Sequence, residues 1–211
     1  SNADIHKLWK ETIIPTFEKE NPDIKVEMTI YDHEAYKTQI RNFLPAEPPD
    51  VVNWFSGNRM KFFVNQDLFE DVSDVWDQNN LHNELAAARS TMTVDGKQWG
   101  VPTTYYQWGF YYRKDIFAKY GLGEPRSMAD LMNIFETLKK NGVTPIAIGT
   151  KYLWTAAGWF DFLNLRINGY DFHMALMDGE VSYEDQRLDR VFDVWGEIAK
   201  SGYYIDNHAS Y

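Results

Sequence analysis

The sequence predicts an α/β protein built in two units. Three observations carry that prediction. Helix-like and strand-like segments alternate from the first residues onward, the rhythm of a layer with a parallel sheet. A strand-like run in the middle of the chain holds six aromatics in the eight residues 105–112, directly before a polar helix-like segment. The alternation resumes near residue 114 with no flexible linker, so one unit runs to about 110 and another follows.

Ile5, Leu8, Trp9, Ile13 and Phe17 recur at helical spacing up to Asn21-Pro22, so the chain opens in an amphipathic helix that Pro15 should kink or break locally. Ile24, Val26, Met28 and Ile30 alternate with polar residues as far as Tyr31, as in a half-buried strand. A helix over Glu34 to Leu44 follows, ended by Pro45, Pro48 and Pro49, and Asp50 to Trp54 reads as a short apolar strand running into the loop Phe55 to Arg59. Met60 to Leu68 and Leu81 to Ser90 read as helices. Between them Asp71, Asp74 and Asp77 lack the ligand alternation and glycine of a calcium loop and read as a solvated helix face. Asp95-Gly96, flanked by Met92-Thr93-Val94 and Lys97-Gln98-Trp99, is a two-residue hairpin signal. In the second unit Ser127 to Asp130 forms a variant capping box before a helix that Asn141-Gly142 ends. Thr144 to Gly149 is a short buried strand. Helices over Thr155 to Ile167 and Leu188 to Lys200 complete the pattern, the last with Leu188, Val191, Phe192, Trp195 and Ile198 on one stripe.

Alternation along the aromatic run puts Tyr106, Trp108, Phe110 and Tyr112 on one side and Tyr105, Gln107, Gly109 and Tyr111 on the other. One face can pack on a core while the other meets a ligand. A flat ring suits a ligand with an apolar face and polar edges, as a sugar has, and a nearby amide or carboxylate can take its hydroxyls. The same composition also suits a core strand with no ligand.

With 211 residues, 44% of them hydrophobic, the chain can bury a sizeable core. Its net charge of -10, and the absence of any basic run longer than Arg113-Lys114 or Lys139-Lys140, disfavour nucleic acid as a partner. There is no cysteine, hence no disulfide and no thiolate chemistry, which fits an exported bacterial protein. No apolar run approaches the roughly 18 residues of a membrane helix. Ser1-Asn2-Ala3 reads as the remnant of tag cleavage, and a signal segment is not expected within the sequence.

Four segments, IIPTFEKENPDIKVEMTIY, PPDVVNWFSGNRM followed by LFEDVSDVW, DGKQWGVPTTYYQWGFYYRKDIFAKYGL, and SMADLMNIFETLKKNGVTPIAIG, together with GTKYLWTAAGWFDFLNLRINGYDF, carry a resemblance over nearly all of Asp4 to Tyr211. In this order and spacing the chain resembles the family 1 extracellular solute-binding proteins of ABC importers, the carbohydrate binders that include maltose-binding protein. The resemblance implies a type II periplasmic-binding-protein architecture, with α/β lobes over 4–110 and 111–211 and a crossing near Phe110 to Arg113. It implies a non-enzymatic carrier that binds a mono- or oligosaccharide in a hinged cleft between the lobes and delivers it to membrane permease subunits. The expected location is periplasmic, or extracellular with a lipid anchor.

Carried over residue by residue, the resemblance places Trp54 as a sugar-stacking aromatic, and Asn58 and Arg59 as hydroxyl-binding residues in a loop one residue longer than in relatives. It places Tyr105, Tyr106 and Gln107 at the cleft end of the crossing strand. On the second lobe it implies Trp154, Trp159 and Asp161, with Tyr152 beside them. Trp54 and Trp154 fall just beyond strand ends, where open α/β sheets bind ligands. Each residue also has a plain structural reading: Trp54 and Trp159 as core, Arg59 as helix surface, Asp161 as an N-terminal helix charge, Asp50 as a structural acid.

The strand that precedes the opening helix in relatives is absent, and the chain stops where relatives continue, so an incomplete fold with open strand edges is expected to self-associate. A glycoside-processing enzyme is the rival from another class. It needs two carboxylates at a defined separation; Asp32, Asp50 and Asp161 can be offered, but no motif pairs them. A piece that only self-associates is the third reading. No HExxH, GxSxG, P-loop or GxGxxG pattern occurs, so no catalytic residue, metal or cofactor is expected. His6, His33, His82, His173 and His208 are not spaced as metal ligands and read as surface residues.

Overall fold

Pro15 shapes the N-terminal helix in the computed structural model, which describes residues 3–211. Helices α1 (Ala3–Leu8) and α2 (Ile14–Glu20) are joined by one π-helical turn, Trp9–Ile13, closed by the Ile14 N–H on the Trp9 carbonyl. A proline cannot donate into the preceding turn, and its ring crowds the carbonyl four residues back. The widened turn ahead of Pro15 accommodates both, so the expected break is a wide turn rather than a kink. The predicted apolar stripe exists, yet Ile5, Leu8, Trp9, Ile13 and Phe17 are all 36–50% exposed.

The run from Ile24 to Tyr31 forms no strand and joins no ladder among the described residues, and most of its apolar side chains are exposed. The predicted half-buried strand is therefore corrected. Strand geometry is held by a neighbour exchanging backbone hydrogen bonds, and here the neighbour is α2. Glu18 accepts from the Val26 N–H at 2.9 Å and from the Lys25 ammonium at 3.2 Å. The same correction applies to Asp50 to Trp54 and to the aromatic run at 103–112, neither of which forms a strand among the described residues.

Helix α3 (His33–Ala46) begins where the Asp32 carboxylate accepts the Glu34 and Ala35 N–H groups, and Pro45 falls within its last turn. Helix α4 (Asn58–Val64) is shorter than predicted. Its Phe63 joins Ile40 and Leu44 of α3 in one core cluster, flanked by Tyr36, Phe43 and Trp54. A second cluster gathers Met60, Val64, Trp76, Met92 and Val94. Helices α5 (Ser73–Gln78) and α6 (Leu81–Glu84) are followed by a 3-10 segment, Ala86–Met92. One continuous helix was predicted from Leu81 to Ser90, but Leu85 leaves the helical region at φ -116°, ψ 27° while packing on that cluster.

The hairpin prediction holds. Strands β1 (Thr93–Val94) and β2 (Lys97–Gln98) pair antiparallel, Thr93 opposite Gln98, across Asp95 (φ 50°) and Gly96 (φ 79°). Positive φ at both positions is what a type I′ turn demands. The hairpin is tied to α5 through the Gln98 N–H on the Ser73 hydroxyl and the Trp76 indole N–H on the Gly100 carbonyl. Asp74 and Asp77 are exposed on α5, while Asp71 precedes the helix and accepts from Ser73 and Lys97.

The described chain divides into two units between Trp108 and Gly109. The second holds α7 (Lys114–Lys119), α8 (Met128–Lys140), α9 (Trp154–Asn168), α10 (Tyr170–Met177) and α11 (Asp189–Lys200). At α8 the Ser127 hydroxyl accepts the Asp130 N–H, and the Asp130 carboxylate reaches back to the Arg126 N–H, one residue beyond the usual box partner. Helix α10 was not predicted, because YDFHMALM shows no apolar period; Gly169, at φ 85°, turns the chain into it. Of the predicted Thr144 to Gly149 strand, one parallel bridge forms, Ile146 to Tyr204. Leu163, Leu176, Leu188, Val191 and Ile198 centre the core. On α11 Val194 is buried with Leu188, Val191 and Ile198, whereas Phe192 lies outward and stacks on Phe160 at 5.4 Å.

Candidate ligand-binding site

In the first unit, Gly57 at φ 66°, ψ -142° turns the chain into α4, a conformation that a side chain would strain. Its N–H is fixed on the Thr91 carbonyl at 2.9 Å. Three neighbours of this turn act together. The Trp54 indole N–H donates to the Arg59 carbonyl at 3.1 Å, clamping the loop to the first turn of α4. The Arg59 guanidinium lies 4.4 Å above the Phe55 ring, and Phe55 meets the Trp54 indole edge-on at 5.1 Å. Trp54 also contacts Tyr36 and Phe63 edge-on, so its inner side belongs to the core while the residue stays half-buried. Asn58 is exposed beside Arg59. The result is a ledge of aromatic edge, cation and amide, a set able to meet a ring with hydroxyls. Tyr105, Tyr106 and Gln107 are exposed in the aromatic run of the same unit, Tyr105 at 92%.

In the second unit Trp154 opens α9 and is 45% exposed. Leu153 before it holds a left-handed conformation, φ 63°, ψ -22°, and both Leu153 and Tyr152 are exposed. Asp161 lies seven residues along α9, two turns on, and so shares the face of Trp154. Burial raises the Asp161 pKa, and His173 of α10 opposes that rise. Trp159 does not join them. It is 8% exposed, edge-on to Phe110 at 4.9 Å and tilted against Tyr204 at 6.2 Å, so its ring is spent on packing.

Two features were missed from sequence. Phe55, the seat of Arg59, carried no signal beyond being aromatic. Asn164 and Asn168 continue the polar stripe of Asp161 at i+3 and i+7, and that spacing on an otherwise apolar helix was a usable signal. His173, predicted to lie on the surface, is half-buried against Asn164, which is fully buried. Among the described residues no cluster of three or more His, Asp or Glu side chains could hold a metal ion.

The family model for bacterial extracellular solute-binding proteins matches residues 2–206. The chain belongs to that family. Among solute-binding proteins of known sequence it is 30% identical to the multiple sugar-binding protein of Streptococcus mutans, over 74% of this chain and 37% of that one. It is 26% identical to an uncharacterised ABC transporter extracellular-binding protein of Pyrococcus horikoshii, over 95% of this chain and 46% of that one. Among solved structures it is similar to the bacterial solute receptor AcbH, described as having an exclusive preference for β-D-galactopyranose (31% identity, TM-score 0.76, 100% of this chain and 52% of that one). It also superposes on a chitin oligosaccharide binding protein, with TM-score 0.89 and 23% identity, over 100% of this chain and 54% of that one. The solute-binding protein described here thus spans about half the length of the relatives it matches. Its fold is that of part of a two-lobed solute-binding protein, with few strands formed.

Proposed function

We propose that this solute-binding protein contributes to a carbohydrate site and serves the delivery of a mono- or oligosaccharide to the permease of an ABC importer, outside the cytoplasmic membrane. One observation supports this most: in the first unit a half-buried indole, a ring-stacked guanidinium and an exposed amide (Trp54, Arg59 and Asn58) adjoin on a single loop-to-helix turn. Aromatic edge plus fixed polar groups is the chemistry that recognises a sugar ring and its hydroxyls. Trp154 and Asp161 on one face of α9 repeat that combination in the second unit. The relatives that are named for sugars support the same substrate class. We further propose that Tyr105, Tyr106 and Gln107 contribute contacts, and that Trp159 supports the site from beneath without touching ligand.

Tryptophan emission tests this reading, since Trp54 and Trp154 are both partly exposed. Galactose, raffinose, stachyose and a chitin oligosaccharide are titrated in turn. A saturable change with at least one, accompanied by a rise in melting temperature, is the expected result. No response to any of them overturns the reading, and release of reducing sugar would replace it with an enzymatic one.

A further inference from the structure

Leu153 holds the left-handed region at φ 63°, ψ -22°, and its side chain is 70% exposed, so burial of the leucine does not impose that conformation. A residue other than glycine stays there only when its surroundings over-determine it. The turn around it is tight: the Leu153 N–H donates to the Thr150 carbonyl at 3.0 Å, and the Trp154 N–H reaches back to the Tyr152 carbonyl at 2.8 Å. What fixes the turn therefore acts through Thr150, which is buried and held from another part of the chain. Its N–H donates to the His208 carbonyl at 2.8 Å, and its hydroxyl meets His208 Nδ1, also at 2.8 Å. The neighbouring Lys151 N–H donates to the Tyr211 carbonyl at 2.8 Å, and the Thr155 hydroxyl donates to the Gly149 carbonyl.

The segment that supplies these partners is itself anchored in the core of the second unit. Tyr203 is buried, and its hydroxyl donates to Glu136 of α8. The Ile146 N–H donates to the Tyr203 carbonyl and the Ile205 N–H to the Ile146 carbonyl, both at 2.9 Å. Tyr204 meets the His208 ring edge-on at 5.4 Å, so a ring contact steadies the imidazole in addition to Thr150. Gly149 marks the closest approach: a Cβ there would stand 3.0 Å from the carbonyl carbon, carbonyl oxygen and Cβ of Tyr211, so only glycine fits without displacing Tyr211. We infer that residues 203–211 form a strap that sets the Trp154 turn, and that His208 is a positioning residue for Trp154, acting through Thr150 and the left-handed Leu153. This rests on reading Trp154 as a face for a sugar ring. Stacking needs the indole held in one orientation before the ligand arrives, and the strap fixes the backbone from which that indole projects.

Nuclear magnetic resonance on the whole chain, with no sugar added, tests this. The Leu153 ¹³C shifts and its HN–Hα coupling should report the left-handed conformation; a right-handed or extended Leu153 overturns the proposal. His208→Ala removes the side-chain bond to Thr150 and keeps the carbonyl. The Leu153 amide should then exchange with solvent about five- to tenfold faster, the effect of one lost hydrogen bond. The Trp154 indole N–H resonance should move as well, while the melting temperature changes little. His208→Asn puts an amide, able to donate or to accept, near the Nδ1 position and should restore both signals. Unmoved Leu153 and Trp154 signals in His208→Ala, or no recovery in His208→Asn, overturns the positioning role. Should His208→Ala not fold, Gly149→Ala gives a second reading, because the atoms its new Cβ crowds all belong to Tyr211. The same two signals should shift in that variant, and their constancy overturns the strap. Because no readout involves a ligand, failure here leaves the carbohydrate reading standing, and failure of that reading leaves these signals as expected.

Discussion

Replacing Trp54 separates its two duties, because the indole is both a packing element and a clamp. Truncating a fully buried Trp to Ala costs about 3–5 kcal/mol, and Trp54 is only half-buried, so the packing part should be about 2 kcal/mol. The lost bond from its Nε1–H to the Arg59 carbonyl adds about 1 kcal/mol. Trp54→Ala should therefore destabilise the first unit by about 2–4 kcal/mol. Trp54→Phe retains ring contacts with Tyr36, Phe55 and Phe63 and loses the donor, so it should cost about 1–2 kcal/mol. Urea denaturation followed by far-UV circular dichroism gives both values, provided the slope with denaturant is unchanged. If Trp54→Ala unfolds within about 0.5 kcal/mol of the parent, as an ordinary surface substitution does, Trp54 is no part of the core and the clamp to α4 has been misjudged.

Arg59→Ala removes an exposed guanidinium seated on Phe55; it should change stability by less than about 1 kcal/mol yet weaken binding of any sugar that responds by about 1–3 kcal/mol, read by titration calorimetry. Ser127→Ala deletes the acceptor for the Asp130 N–H at the start of α8 and should lower the stability of the second unit by about 1 kcal/mol in thermal melts. Asp71, held near pKa about 2 by Ser73 and Lys97, and Asp185, held near about 2 by Arg187, both have folded pKa values below their usual 3.8. Their contribution is present above pH about 4 and lost as pH falls toward about 2, so Asp71→Asn with Asp185→Asn should flatten stability measured across that window, and an unaltered acid profile would refute the assignment. Light scattering at several concentrations should give a mass above the 24.7 kDa of one chain, because the apolar stripe of α1 and α2 and the unladdered Ile24 to Tyr31 are open to a second copy; a constant monomer mass refutes this.

Helices with a period or a cap were legible in the sequence. Ser127 and Asp95-Gly96 announced their structures because the deciding interaction lies within four residues of each. The strands were not legible in the same sense. Ile24 to Tyr31 has a strand's alternation, but alternation states only which face wants burial, and no ladder pairs with it among the described residues. At the candidate site, Trp54 could be read as stacking surface or as core, and the structure leaves it half-buried with ring contacts to Tyr36 and Phe63. Trp159 and Trp154 look alike in sequence, five residues apart on one helix, and the 100° advance per residue sends one inward and the other out. His173 stayed hidden because α10 has no period, and with it the partner of the Asn164 and Asn168 stripe.

The wide turn ahead of Pro15 has a bearing on alignment. Trp9, Ile13 and Phe17 are spaced by fours, and in a regular α-helix each step of four overshoots one revolution by about 40°. Over two steps such a row would wind away from Ile5 and Leu8 and scatter its side chains around the cylinder. Spreading the residues of one revolution more widely between Trp9 and Ile13 takes up part of that overshoot and brings the row back beneath itself. The proline that interrupts the hydrogen bonding thereby acts as a phase corrector, giving two short helices one continuous apolar seam.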